Sequence, residues 1–520
     1  MADTAAVVVV GAGPVGLVAA AELARRGVSV RIVDKLAVPT DESRAIAVHA
    51  RSLDMFARMG VVDALIATGV KARGMALYSG GDLLMRVPLD GVHAAYPFSL
   101  NTPQTETERV LTEHLASLGV EVERGVELVA LSQDGDGVTV GLRHGDGTDE
   151  NVTVAWVIGA DGAHSAVRHL LGGRLRGSFV GERFLLGDVD AEHDLDPETM
   201  FTFFAPQGPV LAMPMRDGRI RVMAQVHDAD GAPLNLHPRL EDLQTVVDDR
   251  VGGIDLVRAH WLTTFEIHHA QIDQYRWGRV FLAGDAAHIH SPAGGQGMNT
   301  GMQDAHNLAW KLAAVIHATA GDGLLDSYHA ERHPVAQQVI ESSDRLSRGG
   351  TVSGAGQHLR NALLKVASHV GPIPRAMADW AAEVNINYRR SPVVIEHSRR
   401  SGPVAAGDYF PPLGDSDVAH RLGAAWGVGH AILTIATGDD APPVSTLRHG
   451  RRILLTSDAG GPIRSGYDVS IADPQQHVAR RLGLERGGGT VVIRPDGYIG
   501  AIATEHAPNV VDDYFATLQR

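Results

Sequence analysis

The chain has no cysteine among its 520 residues. That excludes disulfides, thiol catalysis and cysteine-ligated zinc or iron–sulfur centres. Positive charge is also short: 46 lysines and arginines stand against 61 acidic residues, a formal charge of −15. Nucleic-acid binding needs a basic surface and is not expected. No apolar run reaches the ~18 uncharged residues of a membrane span. The first strand begins within a few residues of Met1, so no signal peptide and no membrane contact are expected, and the predicted location is cytoplasmic. Hydrophobic content of 44% with 21% charged residues speaks for packed globular domains, and the length for two or three of them.

Patterned glycine is what the chain does have. Val7–Val10 are β-branched, as a buried parallel strand requires. Gly11, Gly13 and Gly16 then complete GxGxxG around Pro14 and Val15, and residues 15–26 run as an apolar helix. A second strand, Val28–Val33, ends in Asp34, eighteen positions after the last glycine. The glycines serve a tight turn, close approach to a pyrophosphate and helix–strand packing, while Asp34 can bond a ribose hydroxyl. Lys35 lies beside it on the adenosine side. The motif alone does not choose between NAD and FAD.

Two further segments repeat the theme. In WVIGADGAHSAVR (156–168), Asp161-Gly162 follows a strand-like run, with Ser165 and Arg168 behind. Far downstream, the apolar run Val280–Ala283 ends in Gly284-Asp285, and a Pro/Gly-rich loop opens a long amphipathic helix. That arrangement presents a carboxylate and a row of backbone amides to one ligand.

These segments, in this order, resemble the FAD-dependent aromatic hydroxylases, the single-component flavoprotein monooxygenases. That family carries GxGxxG, then DGxxSxVR, then a GD motif running into PxGGxGxN. Arg44 in SRAIAVHARSLDMF and Gln104, Glu108 and Leu111 in PQTETERVL match further family positions. The resemblance implies non-covalent FAD, held by Gly11, Gly13, Pro14, Val15, Gly16, Asp34, Lys35, Arg44, Gln104, Asp161, Gly284, Asp285, Pro292, Gly297, Met298 and Asn299. It implies NADPH or NADH as a transient donor, bound in a groove without its own glycine fingerprint. Reduced FAD and oxygen would form a C4a-hydroperoxide that passes its distal oxygen to an activated ring. Pro292, Gly295, Gln296 and Gly297 then form the catalytic segment, with the Pro292 carbonyl near C4a and the amides stabilising charge near the flavin pyrimidine. Tyr388, in NINYRRSP, resembles a family tyrosine that lines the substrate pocket.

The implied fold is α/β. A discontinuous Rossmann-like FAD-binding domain takes residues 1–173 and 276–400, the second part including a helical region. An antiparallel β-sheet substrate domain occupies 174–275. Residues 401–520, after a linker near Ser401–Pro412, resemble the thioredoxin-like C-terminal domain of the phenol and polyketide hydroxylase branch, without redox cysteines and suited to packing or dimerisation. Alternation independently predicts strands at Arg183–Asp190, Val210–Met215, Arg219–Gln225 and Trp261–His268. A strand at 451–457, two strands around Pro495-Asp496-Gly497 and a helix from about Asn509 are expected near the end.

The expected activity is hydroxylation of a phenolic or polyketide-type aromatic with O2, by a monomer or homodimer. Apolar Ile46 and Ala47 stand where the phenol hydroxylase branch has an aspartate, which points to a ring system bulkier than phenol. No residue is fixed as the base for a phenolic proton; Arg219 and Arg221 are candidates for charge there. His288 and His290, at i, i+2 without clustered acids, do not make a metal site, and His290 is a candidate for shaping the pocket. Baeyer–Villiger insertion, epoxidation and antibiotic-modifying hydroxylation remain open on the same scaffold, as does flavin or aromatic-ligand binding without turnover.

Overall fold

The computed structural model describes residues 5–226, 237–291, 294–350, 354–396, 402–414, 417–436, 450–457, 465–504 and 509–520. Its first sheet has six strands in the order Arg276–Trp277, Val280–Leu282, Trp156–Gly159, Val7–Val10, Val30–Asp34 and Val122–Arg124. All neighbours run parallel except the antiparallel edge pair Arg276–Trp277 with Val280–Leu282. Both faces of this sheet are covered, which is why Val7–Val10 can be an unbroken valine run.

Parallelism explains how distant motifs meet. Gly11 follows the end of Val7–Val10, Asp161 the end of Trp156–Gly159 and Gly284 the end of Val280–Leu282, while Asp34 closes Val30–Asp34. Four carboxyl ends of one parallel sheet therefore bring all these residues to a single edge, where open α/β sheets bind ligands. The helices Pro14–Ala24 and Gln296–Ile316 start from that edge and pack on each other.

The second sheet has eight strands: His288–Ile289, Ile254–Gln271, Arg176–His193, Arg219–Val226, Val210–Pro214, Thr199–Phe204, Gly74–Ser79 and Asp82–Pro88. The four strands expected from alternation all fall within it. The hairpin Gly74–Pro88 comes from the segment read as part of the nucleotide-binding domain, and its first strand pairs parallel with Thr199–Phe204. Gly80 and Gly81, both left-handed, form its two-residue turn.

Helices Asp326–Gly350, Ala355–Ala367 and Pro372–Ala381 follow, and a third, mixed sheet closes the chain. There the strands Arg451–Thr456, Gly489–Ile493 and Ile499–Thr504 and the helix Val510–Leu518 lie where the sequence places them. Ser401 lies outside the described residues, but the rest of the expected linker is bonded into this body. Gly407 N–H donates to Ile499 O and Phe410 N–H to Gly497 O, and Phe410 is buried.

A buried ion cluster fastens the third body to the first. Arg494 donates to both oxygens of Glu331 (2.7 and 2.8 Å) and to Asp496 (2.6 Å), and Lys311 donates to Glu331 at 2.7 Å. Two cations face two carboxylates, so no buried charge is left uncompensated. Among the described residues, no helix is long and apolar enough to cross a membrane.

Candidate active site

The glycine loop separates backbone constraint from ligand space. Gly11 has φ +101°, and a Cβ there would lie 2.4 Å from Ala160 O; at Gly16 it would lie 1.8 Å from Gly11 O. Both positions require glycine for packing alone. Gly13 has an ordinary extended conformation, and a Cβ there would meet only Glu108 Oε1, 4.0 Å away. Its surface is open on the cleft side, the approach a pyrophosphate needs. Pro14 starts the helix, and Val15 is the contact between the first and third motifs. A Cβ on Gly284 (φ +59°) or on Gly301 would come 2.8 Å from Val15 Cγ2.

The acidic residues differ in how much the protein uses them. Asp34 accepts from Ala12 N–H at 2.7 Å and from Leu36 N–H at 2.8 Å, bracing the glycine loop, with exposed Lys35 next to it. Asp161 accepts from Val167 N–H at 3.1 Å, while its Oδ1 is buried without a partner. Asp285 makes no side-chain hydrogen bond within the described residues. It is open to solvent yet closely surrounded by protein, as a group lining a recess is, and this crowding raises its pKa against the opposing charges of His288, Arg44 and Arg168.

Arg168, part of the DG motif but absent from the expected ligand set, ties two motifs together. It donates to Ala286 O at 2.9 Å and to Ala163 O at 2.6 Å. Arg44 is exposed and paired with Glu42 at 2.8 Å. Its loop is held by Gln104, which accepts from Ala45 N–H (3.3 Å), donates to Glu108 (2.8 Å) and bonds Ser43 Oγ through its own N–H (2.9 Å). Arg221 also reaches Ser43 Oγ, at 3.0 Å, but its charge is matched by a bidentate Asp188 at 2.6 and 2.8 Å. Arg219 lies 3.8 Å from Asp217.

Pro292 lies outside the described residues. Beyond it, left-handed Gly294 and Gly295 lead into the long helix Gln296–Ile316, which has no side-chain cap. The first-turn N–H groups of Gln296, Gly297, Met298 and Asn299 thus lack intrahelical partners, at the positive end of the helix dipole. A Cβ on Gly294 would meet the Trp380 ring at 2.7 Å, and on Gly295 Ala47 Cβ at 3.2 Å. Gln296 donates to Trp380 O at 3.0 Å, and its Oε1 is buried without a partner. A Cβ on Gly297 would face His290 at 3.5 Å, and Met298 packs against the main core. Asn299 points inward rather than to the cleft, donating to Ala47 O (2.8 Å) and Gly295 O (2.9 Å).

His49 is a residue that motif reading passed over. Burial lowers its pKa to about 4, so it is neutral. Its Nε2–H donates to Gly294 O and its Nδ1 accepts from Ser99 Oγ, both at 2.9 Å. Its only sequence signal was its place in the Arg44 segment.

Tyr388 stands elsewhere. Its ring lies 4.1 Å from that of Tyr498 and its hydroxyl accepts from Arg332 at 3.0 Å. With Arg51, Gln303 and Tyr409 it lines a small cavity at the seam with the third sheet, rather than the Gly294–Asn299 loop. The physical reason is the aromatic stack and the buried guanidinium, which engage both ring and hydroxyl.

The open side of Gly13, the unbonded Asp285, the orphaned Asp161 Oδ1 and Gln296 Oε1, and the free helix amides form one cradle for a large polar cofactor. They fit FAD. A family model described as "FAD binding domain" matches residues 4–343. The 6-methylpretetramide 4-monooxygenase of Streptomyces rimosus is 37% identical, over 96% of this chain and 91% of that protein. The pentachlorophenol 4-monooxygenase of Sphingobium chlorophenolicum is 34% identical, over 96% and 94%. Among solved structures, the anhydrotetracycline hydroxylase from Streptomyces rimosus matches with a TM-score of 0.75 at 29% identity, covering 99% of both chains.

Proposed function

The chain belongs to the FAD-dependent aromatic hydroxylases, and on that premise we propose that it is an NADPH- or NADH-dependent monooxygenase that hydroxylates a phenolic or polyketide-type aromatic. The observation that carries the reading is the meeting of three motifs at one edge of the parallel sheet. FAD would lie along Gly11–Gly16, Asp34 and Asp285, with its ring system toward Gly294–Asn299. Bound FAD supplies the oxygen-activating chemistry.

The chain's own groups do the rest. The amides of Gln296–Asn299 would hold negative charge on a bound flavin ring without reorganising, because the helix already fixes them. His49 fixes the Gly294 carbonyl and Asn299 the Gly295 carbonyl, so the loop is set before ligand arrives. Ile46, Ala47, Met213 and Met215 form an apolar cluster that joins the eight-stranded sheet to the segment after Arg44, and such a cluster would help to exclude water from the cleft. The relatives' named substrates are a pretetramide and a chlorinated phenol. Together with apolar Ile46 and Ala47, they favour a phenolic ring system bulkier than phenol itself.

The test is oxidation of NADPH and of NADH by FAD-loaded protein, with and without chlorophenols and fused-ring polyketide phenols. One aromatic class should accelerate oxidation and gain one oxygen by mass. Oxidation that no aromatic accelerates would count against the proposal.

A further inference from the structure

Asp304, Arg332 and His288 are fully buried beneath the turn that carries Asp285. Asp304 lies on the helix Gln296–Ile316 and Arg332 on Asp326–Gly350. Asp304 Oδ2 accepts from Gly284 N–H at 3.2 Å and from His288 Nε2–H at 2.7 Å, and its Oδ1 accepts from Arg332 Nε–H at 2.6 Å. One carboxylate therefore holds the Gly284–Asp285 turn from both sides. The turn itself is tightly wound: Gly284 is left-handed, Ala287 N–H donates to Gly284 O at 2.7 Å, and a Cβ on Gly284 would strike Val15 of the glycine loop. Burial works against the charged form of Asp304, yet Arg332 and His288 hold its carboxyl below the usual range. Such a pair costs desolvation that only close geometry repays.

Arg332 carries this anchor outward. It donates to Thr300 O and to the Tyr388 hydroxyl, both at 3.0 Å, so each of its three nitrogens is engaged. Tyr388 is in turn a fixture of the third body. Its ring lies 4.1 Å from that of Tyr498, its N–H donates to Gly407 O, and Gly407 N–H donates to Ile499 O, each bond 2.7 Å long. Arg494 of the same body grips Glu331, the chain neighbour of Arg332, at 2.7 and 2.8 Å.

We propose that Asp304, Arg332 and Tyr388 are positioning residues for FAD, and that the third body, which has no redox cysteine, seats the Gly284–Asp285 turn through them. The path is continuous and entirely buried. Tyr498 orients Tyr388, Tyr388 orients Arg332, Arg332 orients Asp304, and Asp304 fixes the Gly284 N–H. Asp285 thereby meets the cofactor from a turn that is set before FAD arrives, and the contact of Gly284 with Val15 passes the same setting to the glycine loop. Tyr388 acts on the cofactor from behind rather than on the substrate. The proposal goes beyond the monooxygenase reading and shares with it only the FAD site.

The test is equilibrium dialysis of FAD against the wild type, Tyr388→Phe, Asp304→Asn, Asp285→Asn and the double variant Asp285→Asn/Tyr388→Phe. Tyr388→Phe removes one oxygen, keeps the ring on Tyr498, and should weaken FAD about fivefold. Asp304→Asn removes the charge opposite Arg332 and should weaken FAD about tenfold or more. A residue that acts through the turn has nothing left to position once Asp285 is lost, so Tyr388→Phe should cost less than about twofold in the Asp285→Asn background. A tyrosine that only stabilises the fold would weaken FAD equally in both backgrounds. Should Asp304→Asn fail to accumulate, the Tyr388 comparison decides alone. FAD affinity of Tyr388→Phe within about twofold of wild type, or losses that multiply in full in the double variant, would overturn the proposal. Because binding is read without turnover, a protein that shows the expected pattern but oxidises no aromatic would remove the hydroxylase reading and leave these positioning roles standing.

Discussion

Asn299 Oδ1 accepts the backbone N–H of His49 at 2.9 Å, joining residues 250 positions apart. The same side chain donates to Ala47 O and Gly295 O, so one amide fixes the segment after Arg44 to the first turn of the long helix. Asn299→Ala leaves an N–H and two carbonyls without this partner in a dry site. The expected loss is about 2–4 kcal/mol in urea unfolding of the FAD-free protein. A loss under about 0.5 kcal/mol would mean that the clamp is not stabilising.

Gly13 and Gly16 should respond in opposite ways to the same methyl group. Gly16→Ala pushes Cβ into Gly11 O, so the FAD-free protein should unfold more easily or fail to accumulate. Gly13→Ala meets only Glu108 Oε1 at a comfortable 4.0 Å, so thermal unfolding of the FAD-free protein should change little while FAD affinity falls about tenfold or more. Differential scanning calorimetry and equilibrium dialysis against FAD separate the two effects.

Asp285→Asn should trade affinity for stability. The crowded carboxyl has a raised pKa in the folded state, so its favourable contribution is present below its unfolded pKa and is lost as pH rises through the folded value. At neutral pH the neutral asparagine should therefore raise the melting temperature of FAD-free protein. FAD binding should weaken at the same time. A variant that loses stability and keeps FAD would show Asp285 to be structural.

Glu383 offers a pH test away from the cleft. It is buried, has φ +57°, and shares a 2.5 Å bond with Gln303 Nε2. Burial raises its carboxyl pKa to about 8, against the opposing charges of Arg332 and Arg51 and with the support of Asp304. The sign follows: its contribution is whole at acid pH and declines between about pH 4.5 and 8, where only the unfolded chain ionises. Glu383→Gln should remove that part of the decline, so the variant's melting temperature should gain on wild type as pH rises. Parallel curves for the two proteins would contradict a neutral Glu383.

Much of this molecule was legible from local pattern. Valine runs, glycine spacing and period-two alternation depend on nearest neighbours and on which faces are covered, so strands such as Val7–Val10 and Arg219–Val226 fall where alternation and β-branching place them. The Gly74–Pro88 hairpin was missed although Gly80-Gly81 marks its turn, because its membership of the second sheet depends on a parallel pairing with Thr199–Phe204. His49 and Asn299 carry no signal for their mutual bond, since each bonds backbone from a different part of the chain. Tyr388 shows the opposite difficulty. A motif likeness marks it for the pocket, but partners at Arg332 and Tyr498, set by the docking of the third sheet, engage it elsewhere.

The most direct test of the hydroxylase account is turnover under ¹⁸O-labelled oxygen, with FAD, reduced nicotinamide nucleotide and an aromatic that accelerates oxidation. The account predicts a product carrying one labelled oxygen on the ring, with nucleotide oxidised in near-equal amount. Nucleotide consumption that yields only labelled hydrogen peroxide, with the aromatic recovered unlabelled, would contradict it.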